Sequence, residues 1–474
     1  MLLGIGVFLF WYRAYPHALS YQEQYQLFLW TGNYFRERVS VPGGLADWLG
    51  EFIVQFYYVE WLGALLLAVL FVVLQRLCVV RRFYLLSFVP PLLLLWLMGD
   101  PCVLLSLPVA IILSLLAFRL MQPVHGGFDL LMVPVLYWLA GPLAWLYVVL
   151  RVVQWHWKHL WSAGWMLAVQ LMAYAFLLPQ WPIQTVLAGQ GYYRIPLHWP
   201  SLSGYDKDMY ELIREDYLVR NERWDEIVDR ARAYQVRTAF SSVCVNLALA
   251  EKRQLADRMF DFYQSGEDAL IMPRVRDLTS MLPSAEVFWR LGMVNSAQRY
   301  MFDTQESILN GRKSGRCTRR IAECMLVNGH YQTARKQLDI LKKSLFYRAW
   351  AEEVSEKMGD AWVNAHPVYG KLRKYRYKED YLYSYAEIDK MLGLLFMANQ
   401  ENRMALDYFM GQMLLKGELQ GFQQYMGWVQ QYGGYRMMPL GYQDAMLCIQ
   451  KQGAVPGSPY ANYAKRMMAE RRAE

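Results

Sequence analysis

The chain has 474 residues, enough for two or three domains, with 49 Lys+Arg against 41 Asp+Glu and a formal net charge of +8. The excess is spread along the chain rather than gathered into basic stripes, so no nucleic-acid partner is expected. Six cysteines, at 78, 102, 244, 317, 324 and 448, form no C-x-x-C and no Cys/His group at zinc spacing, so neither a bound metal nor a disulfide framework is expected.

Charge divides the chain in two. Residues 1–182 carry nine Lys/Arg and seven Asp/Glu, whereas 183–474 carry the remaining forty and thirty-four. The first composition suits a lipid environment and the second a water-soluble fold. The expected fold is all-α: a polytopic transmembrane helical bundle of about six helices over 1–182, a Gly/Pro-rich linker over 183–204, and a soluble helical-repeat domain over 205–474.

The first apolar segment, 2–12, meets Arg13 after about eleven residues and is read as the end of a helix that starts further upstream. The loop 13–50 is rich in aromatics and amphipathic stretches, the pattern of helices lying on a membrane surface. Five largely apolar stretches follow and read as spanning helices, at about 54–76, 83–99, 101–119, 128–150 and 160–180, with Trp and Tyr gathered at their ends as interfacial anchors. Gly99, Asp100 and Pro101 read as a turn between two of them. His156 and His159 sit among tryptophans and read as part of such an anchor rather than as metal ligands.

Carboxylates in this half are the candidate catalytic groups. Glu60 lies inside an apolar run and Glu51 at its edge, where an ionised side chain is costly and therefore a functional hypothesis. With six spans, Glu23, Glu37, Asp47, Glu51 and Asp100 fall on one side of the membrane. Loop carboxylates of this kind resemble those of multipass glycosyltransferases that use lipid-linked sugars, where such a group serves as base or metal ligand. Glu51, Glu60 and Asp100 are the catalytic candidates of that reading, although no paired acidic motif marks the first loop.

Six spans also divide the flanking cations five against five. Arg76, Arg81, Arg82, Arg119 and Arg194 oppose Arg13, Arg36, Arg38, Arg151 and Lys158. Density breaks the tie, since Arg76, Arg81 and Arg82 share one short loop. On that argument this loop and residues 205–474 are cytoplasmic, in a bacterial inner membrane.

In the polar half the apolar positions follow helical spacing, and a helix-pair pattern recurs. Leu392, Gly393, Phe396, Ala405 and Phe409 carry it best, with a small residue where two helices approach. Ile321, Ala322, Met325, Gly329, Tyr331, Ala334 and Leu338 repeat it, and Ala285, Phe288, Gly292 and Ala297 fit more loosely, with weaker echoes near Trp224 and Leu255. The stretch from Asn328 to Ala334 resembles the turn and second helix of a tetratricopeptide repeat. That resemblance implies a tetratricopeptide-like α-solenoid, with Gly292, Ala297, Gly329, Tyr331, Ala334, Leu392, Gly393, Phe396, Ala405 and Phe409 as packing residues. The whole chain resembles a family of uncharacterised bacterial multipass membrane proteins with such a tail, which implies no activity. The basic segment 371–378, followed by Tyr381, Tyr383 and Tyr385, reads as a solvated insertion in the repeat array.

No phosphate-binding loop, dinucleotide fingerprint or hydrolase elbow is present, and no cofactor is expected. The function expected is a membrane scaffold or assembly role, with the bilayer and a protein or peptide at the repeat domain as partners. The alternative is a lipid-linked glycosyltransferase or other cell-envelope enzyme.

Overall fold

The computed structural model describes residues 1–124, 126–155, 160–189, 204–273, 281–308, 311–378, 387–451 and 456–473. His156, His159, Tyr381, Tyr383 and Tyr385, and most of the linker, lie outside them. The fold is all-α, with no β-strand among the described residues. It forms two compact units that are not contiguous in sequence. The first comprises Met1–Lys207, Ile308–Arg316 and Leu338–Glu353, and the second Asp208–Ser307, Cys317–Gln337 and Val354–Glu474. Two segments of the polar half therefore belong to the apolar unit.

In the first unit the apolar runs are helices, most of them shorter than a typical span. By length and composition Glu60–Leu77 and the stretch Gly126–Gln154 reach 18 residues or more, while Leu2–Ala14, Phe83–Leu97, Ser106–Met121 and Leu160–Phe176 fall below 18 residues. The longer stretch is itself not one rod. Asp129 and Arg151 form an ion pair at 3.2 Å, although 22 residues of continuous helix would hold them about 33 Å apart. The chain reverses at Gly141, whose φ of +64° is natural for glycine and strained for other residues. The result is a hairpin of Asp129–Ala140 and Ala144–Trp155.

Its base and tip are both pinned. At the base Arg151 is completely buried and also donates to the carbonyls of Met121 and Val124, at 2.9 and 3.1 Å. Met121 ends the helix Ser106–Met121 and Val124 lies in the turn beyond it, so Arg151 ties that turn to the hairpin. Near the tip the Ser114 hydroxyl, midway along Ser106–Met121, donates to the Leu143 carbonyl at 3.0 Å.

Many large apolar side chains of this unit face outward. Trp61, Leu65, Val69 and Val73 form a stripe at every fourth position of Glu60–Leu77, and Leu85, Leu92 and Leu93 are more than half exposed. Contiguous exposed apolar faces of this kind mark interaction surfaces.

The second unit is built of short helices around Ala239–Glu251. That helix is buried on every side, with Val243, Cys244, Leu247 and Ala248 fully buried and Ser241, Ser242 and Asn246 hydrogen-bonded among them, the pattern of a central element. Five of the connections repeat one geometry. Glu222, Arg253, Gly292, Gly329 and Gly417 each adopt a left-handed backbone just after a helix. The amide of the following residue then reaches five residues back, as in Met293 to the Phe288 carbonyl at 2.9 Å and His330 to the Met325 carbonyl at 2.8 Å. This closes the helix end and launches the next helix two residues later. The packing is not limited to sequence neighbours, as it would be in an open solenoid. Helix Arg403–Lys416 returns to pack on Ala239–Glu251, and Leu440–Gln450 packs on Leu255–Arg258.

Candidate functional site

The densest polar chemistry lies in the first unit, where Gly32–Val39 and Gly44–Val54 lie antiparallel. Gly44 makes their close approach possible, since a Cβ there would sit 1.9 Å from the Arg38 carbonyl oxygen. The pairing brings Tyr34 and Arg38 of the first helix against Asp47 and Glu51 of the second. The Tyr34 hydroxyl donates to Glu51, and Arg38 Nε donates to the same carboxylate at 3.1 Å. From the segment Ile308–Arg316, Arg312 donates through Nε to Glu51 at 2.8 Å and through its terminal nitrogen to Asp47. Two carboxylates are thus matched by two guanidiniums, and all four side chains are at most 8% exposed.

Burial sets the electrostatics. It pushes the Asp47 carboxyl up to about 6, against the pull of Arg312. Burial opposes charge on Arg312 and Arg38, yet the neighbouring carboxylates hold both guanidiniums above their ordinary range. Burial, reinforced by Glu51, also keeps Tyr34 firmly protonated as a donor. A cluster of this kind is a clamp. Further contacts hold the same segments: Tyr347 donates to Glu23 at 2.8 Å, Arg316 to the Gln24 side chain at 3.1 Å, and the Leu27 amide to the Lys313 carbonyl at 2.9 Å.

The catalytic candidates are dispersed. Glu51 is inside the clamp, Glu60 is half-buried in the first turn of Glu60–Leu77, and Asp100 accepts from the Cys102 amide at 2.9 Å in its turn. Among the described residues no three His, Cys, Asp or Glu side chains converge as metal ligands. The clamp's other half was invisible in sequence, because Arg312 lies 261 residues from Glu51 in a polar loop without a motif.

In the second unit the sequence-selected residues sit mostly in packing positions. Ala297, Ala334, Leu392, Phe396, Ala405 and Phe409 are buried, Gly329 and Tyr331 half-buried. A Cβ on Gly393 would come 3.2 Å from the Phe409 ring, and one on Gly292 would come 2.7 Å from Tyr375 Cβ. The basic segment is solvated at Lys371, Lys374 and Lys378 but not at its arginines. Its first residues belong to helix Pro367–Tyr375, and Arg373 donates to the Val327 and Leu326 carbonyls at 3.0 and 3.1 Å, capping helix Gly315–Asn328 beside Gly329. Arg376 donates to Asn328 at 2.8 Å, so these cations are spent on packing. A pocket opens next to them, lined by Gly292, Val294, Asn295, Arg376, Met391 and Leu395. It joins a helix start and a guanidinium to an apolar wall.

Searches of curated proteins and of solved structures returned no match. A family model described as a family of unknown function (DUF6057) matches residues 1–471, and the chain belongs to that family.

Proposed function

We propose that this protein is a multipass scaffold of the bacterial inner membrane, whose first unit sits in the bilayer and whose second unit binds a protein or peptide. The observation that carries the reading is the contrast in exposed apolar surface. The first unit turns whole helical stripes outward, such as Trp61, Leu65, Val69 and Val73, while the second encloses its apolar helix Ala239–Glu251. The recurring left-handed turns support degenerate tetratricopeptide-like helix pairs, the kind of element that presents grooves to extended peptides. The pocket beside Gly292 is one place in the second unit where polar and apolar groups converge.

The enzyme alternative requires a carboxylate able to reach a substrate. Glu51 weighs against it, since its oxygens are engaged by Tyr34, Arg38 and Arg312.

Affinity capture of the full chain from detergent-solubilised membranes tests the scaffold reading. A stoichiometric partner should be retained by the native protein and by Glu60→Gln, which leaves the buried clamp intact, and lost with Asn295→Trp, which fills the pocket mouth. Copurification of a polyprenyl lipid instead, lost with Glu60→Gln, would favour the enzyme.

A further inference from the structure

We propose that residues 126–155 form a re-entrant hairpin, and that the C-terminal half of the chain consequently lies outside the cytoplasm, on the same membrane face as the loop 13–50. This rests on the membrane reading of the first unit and deepens it by naming the compartment of the partner.

One face of the unit is fixed by contacts at the start of Glu60–Leu77. Tyr58, just before that helix, stacks on Phe346 with ring centroids 4.9 Å apart. The Trp30 amide donates to the Lys343 carbonyl at 2.7 Å, and Arg312 grips Asp47 and Glu51. Gly50 packs against the amide of Ser106, the first residue of Ser106–Met121, and Gly99 packs against the Tyr205 amide. The loop 13–50, the turn at Asp100, residue 205 and two segments of the polar half therefore share one face.

The opposite face is fixed as firmly. Arg119, near the end of Ser106–Met121, donates to the Leu77 carbonyl at 3.0 and 2.8 Å, at the end of Glu60–Leu77. Arg151 binds Met121, Val124 and Asp129 there, so both ends of the hairpin return to this face. Its tip stops beside Ser114, halfway along the neighbouring helix, where the Trp138 carbonyl accepts from the Gly43 amide at 2.9 Å, so the loop 13–50 dips inward at Gly43 to meet it. A buried, ion-paired base with its tip at mid-depth is how non-spanning backbone is tolerated within a membrane.

Parity follows. Between residues 54 and 204 the crossings are Glu60–Leu77, the 81–97 segment, Ser106–Met121 and Leu160–Phe176. Four crossings return the chain to the face it left, as the contacts demand, whereas five would not. Helices of 15–17 residues span about 22–26 Å, short of a typical hydrocarbon core, and a locally thinned bilayer accommodates the difference at modest cost. The hairpin also resolves the charge count. Arg151 and Lys158 join Arg76, Arg81, Arg82 and Arg119, while Arg194 joins Arg13, Arg36 and Arg38, giving six against four instead of five against five. By the positive-inside rule the six are cytoplasmic. This reverses the orientation expected from six spans, and it makes the partner an extracytoplasmic envelope component.

Single cysteines in the full-length chain test the arrangement, in a Cys78→Ser background because the other five native cysteines are buried. In intact spheroplasts a membrane-impermeant maleimide should label Asn33→Cys and Lys343→Cys, and should label Val80→Cys, Phe128→Cys and Gln154→Cys only after the membrane is opened. Opposite sidedness of Phe128→Cys and Gln154→Cys would overturn the hairpin. Opposite sidedness of Asn33→Cys and Lys343→Cys would overturn the shared face, and complete inversion of the pattern would overturn the outward placement. A chain released from membranes by carbonate, with all five positions labelled alike, would instead sink the membrane reading itself.

Discussion

Arg312 carries the clamp. Truncating it leaves Asp47 and Glu51 buried against Arg38 alone, and removing one partner of a buried ion pair costs about 3–5 kcal/mol. Arg312→Ala should therefore lower the thermal midpoint of the detergent-purified protein markedly. Arg312→Met combined with Asp47→Asn should recover part of the loss, because the uncompensated charge is then smaller. Equal midpoints for the native protein and Arg312→Ala would mean that the clamp does not form. A second buried carboxylate responds in the opposite sense. Burial raises Glu215 to about 8, against the lowering effect of the Ser241 hydroxyl that donates to it at 2.7 Å. Its folded pKa lies above the unfolded value, so the native state holds a proton that the unfolded chain releases. This contribution is complete below about pH 4.5 and is lost as pH rises toward 8. Glu215→Gln should remove that slope. Urea titrations at pH 5, 7 and 9 should show the variant gaining on the native protein as pH rises, by on the order of 2–4 kcal/mol at pH 9.

Among the elements, the turns decide how helices pair. Gly393 faces the Phe409 ring, and a leucine there must force the two helices apart at about 1–3 kcal/mol. An unchanged melting temperature for Gly393→Leu would contradict this packing. At Gly292 the backbone is left-handed and Tyr375 closes over the Cα, so even Gly292→Ala should destabilise, by about 1–2 kcal/mol through strain and contact together. The same geometry occurs at Arg253, where φ is +55°. Arg253→Gly should be neutral or stabilising by up to about 1 kcal/mol, in a direct comparison of denaturation midpoints. These positions also show what the sequence could and could not convey. Gly292, Gly329 and Gly393 were legible because glycine marks a turn or a close approach. Glu222 and Arg253 adopt the same turn without that mark, so the helix pairs they join surfaced only as weak echoes near Trp224 and Leu255. Likewise composition located the apolar runs but not the reversal at Gly141. An uncharged stretch reads the same whether it continues or doubles back, and the ion pair that distinguishes the two joins Asp129 to Arg151 across 22 residues.

For the whole molecule, the composition break near residue 182 is a change of composition and not a border between folding units. Ile308–Arg316 and Leu338–Glu353 are polar enough to be read as parts of a separate soluble domain, yet they complete the first unit through Arg312, Arg316 and Tyr347. No local pattern could reveal this, because the contacts that bind them span roughly 260 to 320 positions of sequence. The consequence is measurable. Residues 1–207 produced alone would leave Asp47, Glu51 and Glu23 without these partners, and buried carboxylates deprived of counter-charges are strongly destabilising. That fragment should be degraded in cells or purify as aggregate, and coproduction of 205–474 as a second chain should rescue it as a complex that survives detergent extraction. The rescue should fail when the second chain carries Arg312→Glu, which sets a third negative charge against Asp47 and Glu51. It should return in part when Asp47→Asn is added to the first chain. A monodisperse, heat-resistant 1–207 fragment on its own would show that the two segments are dispensable to the first unit.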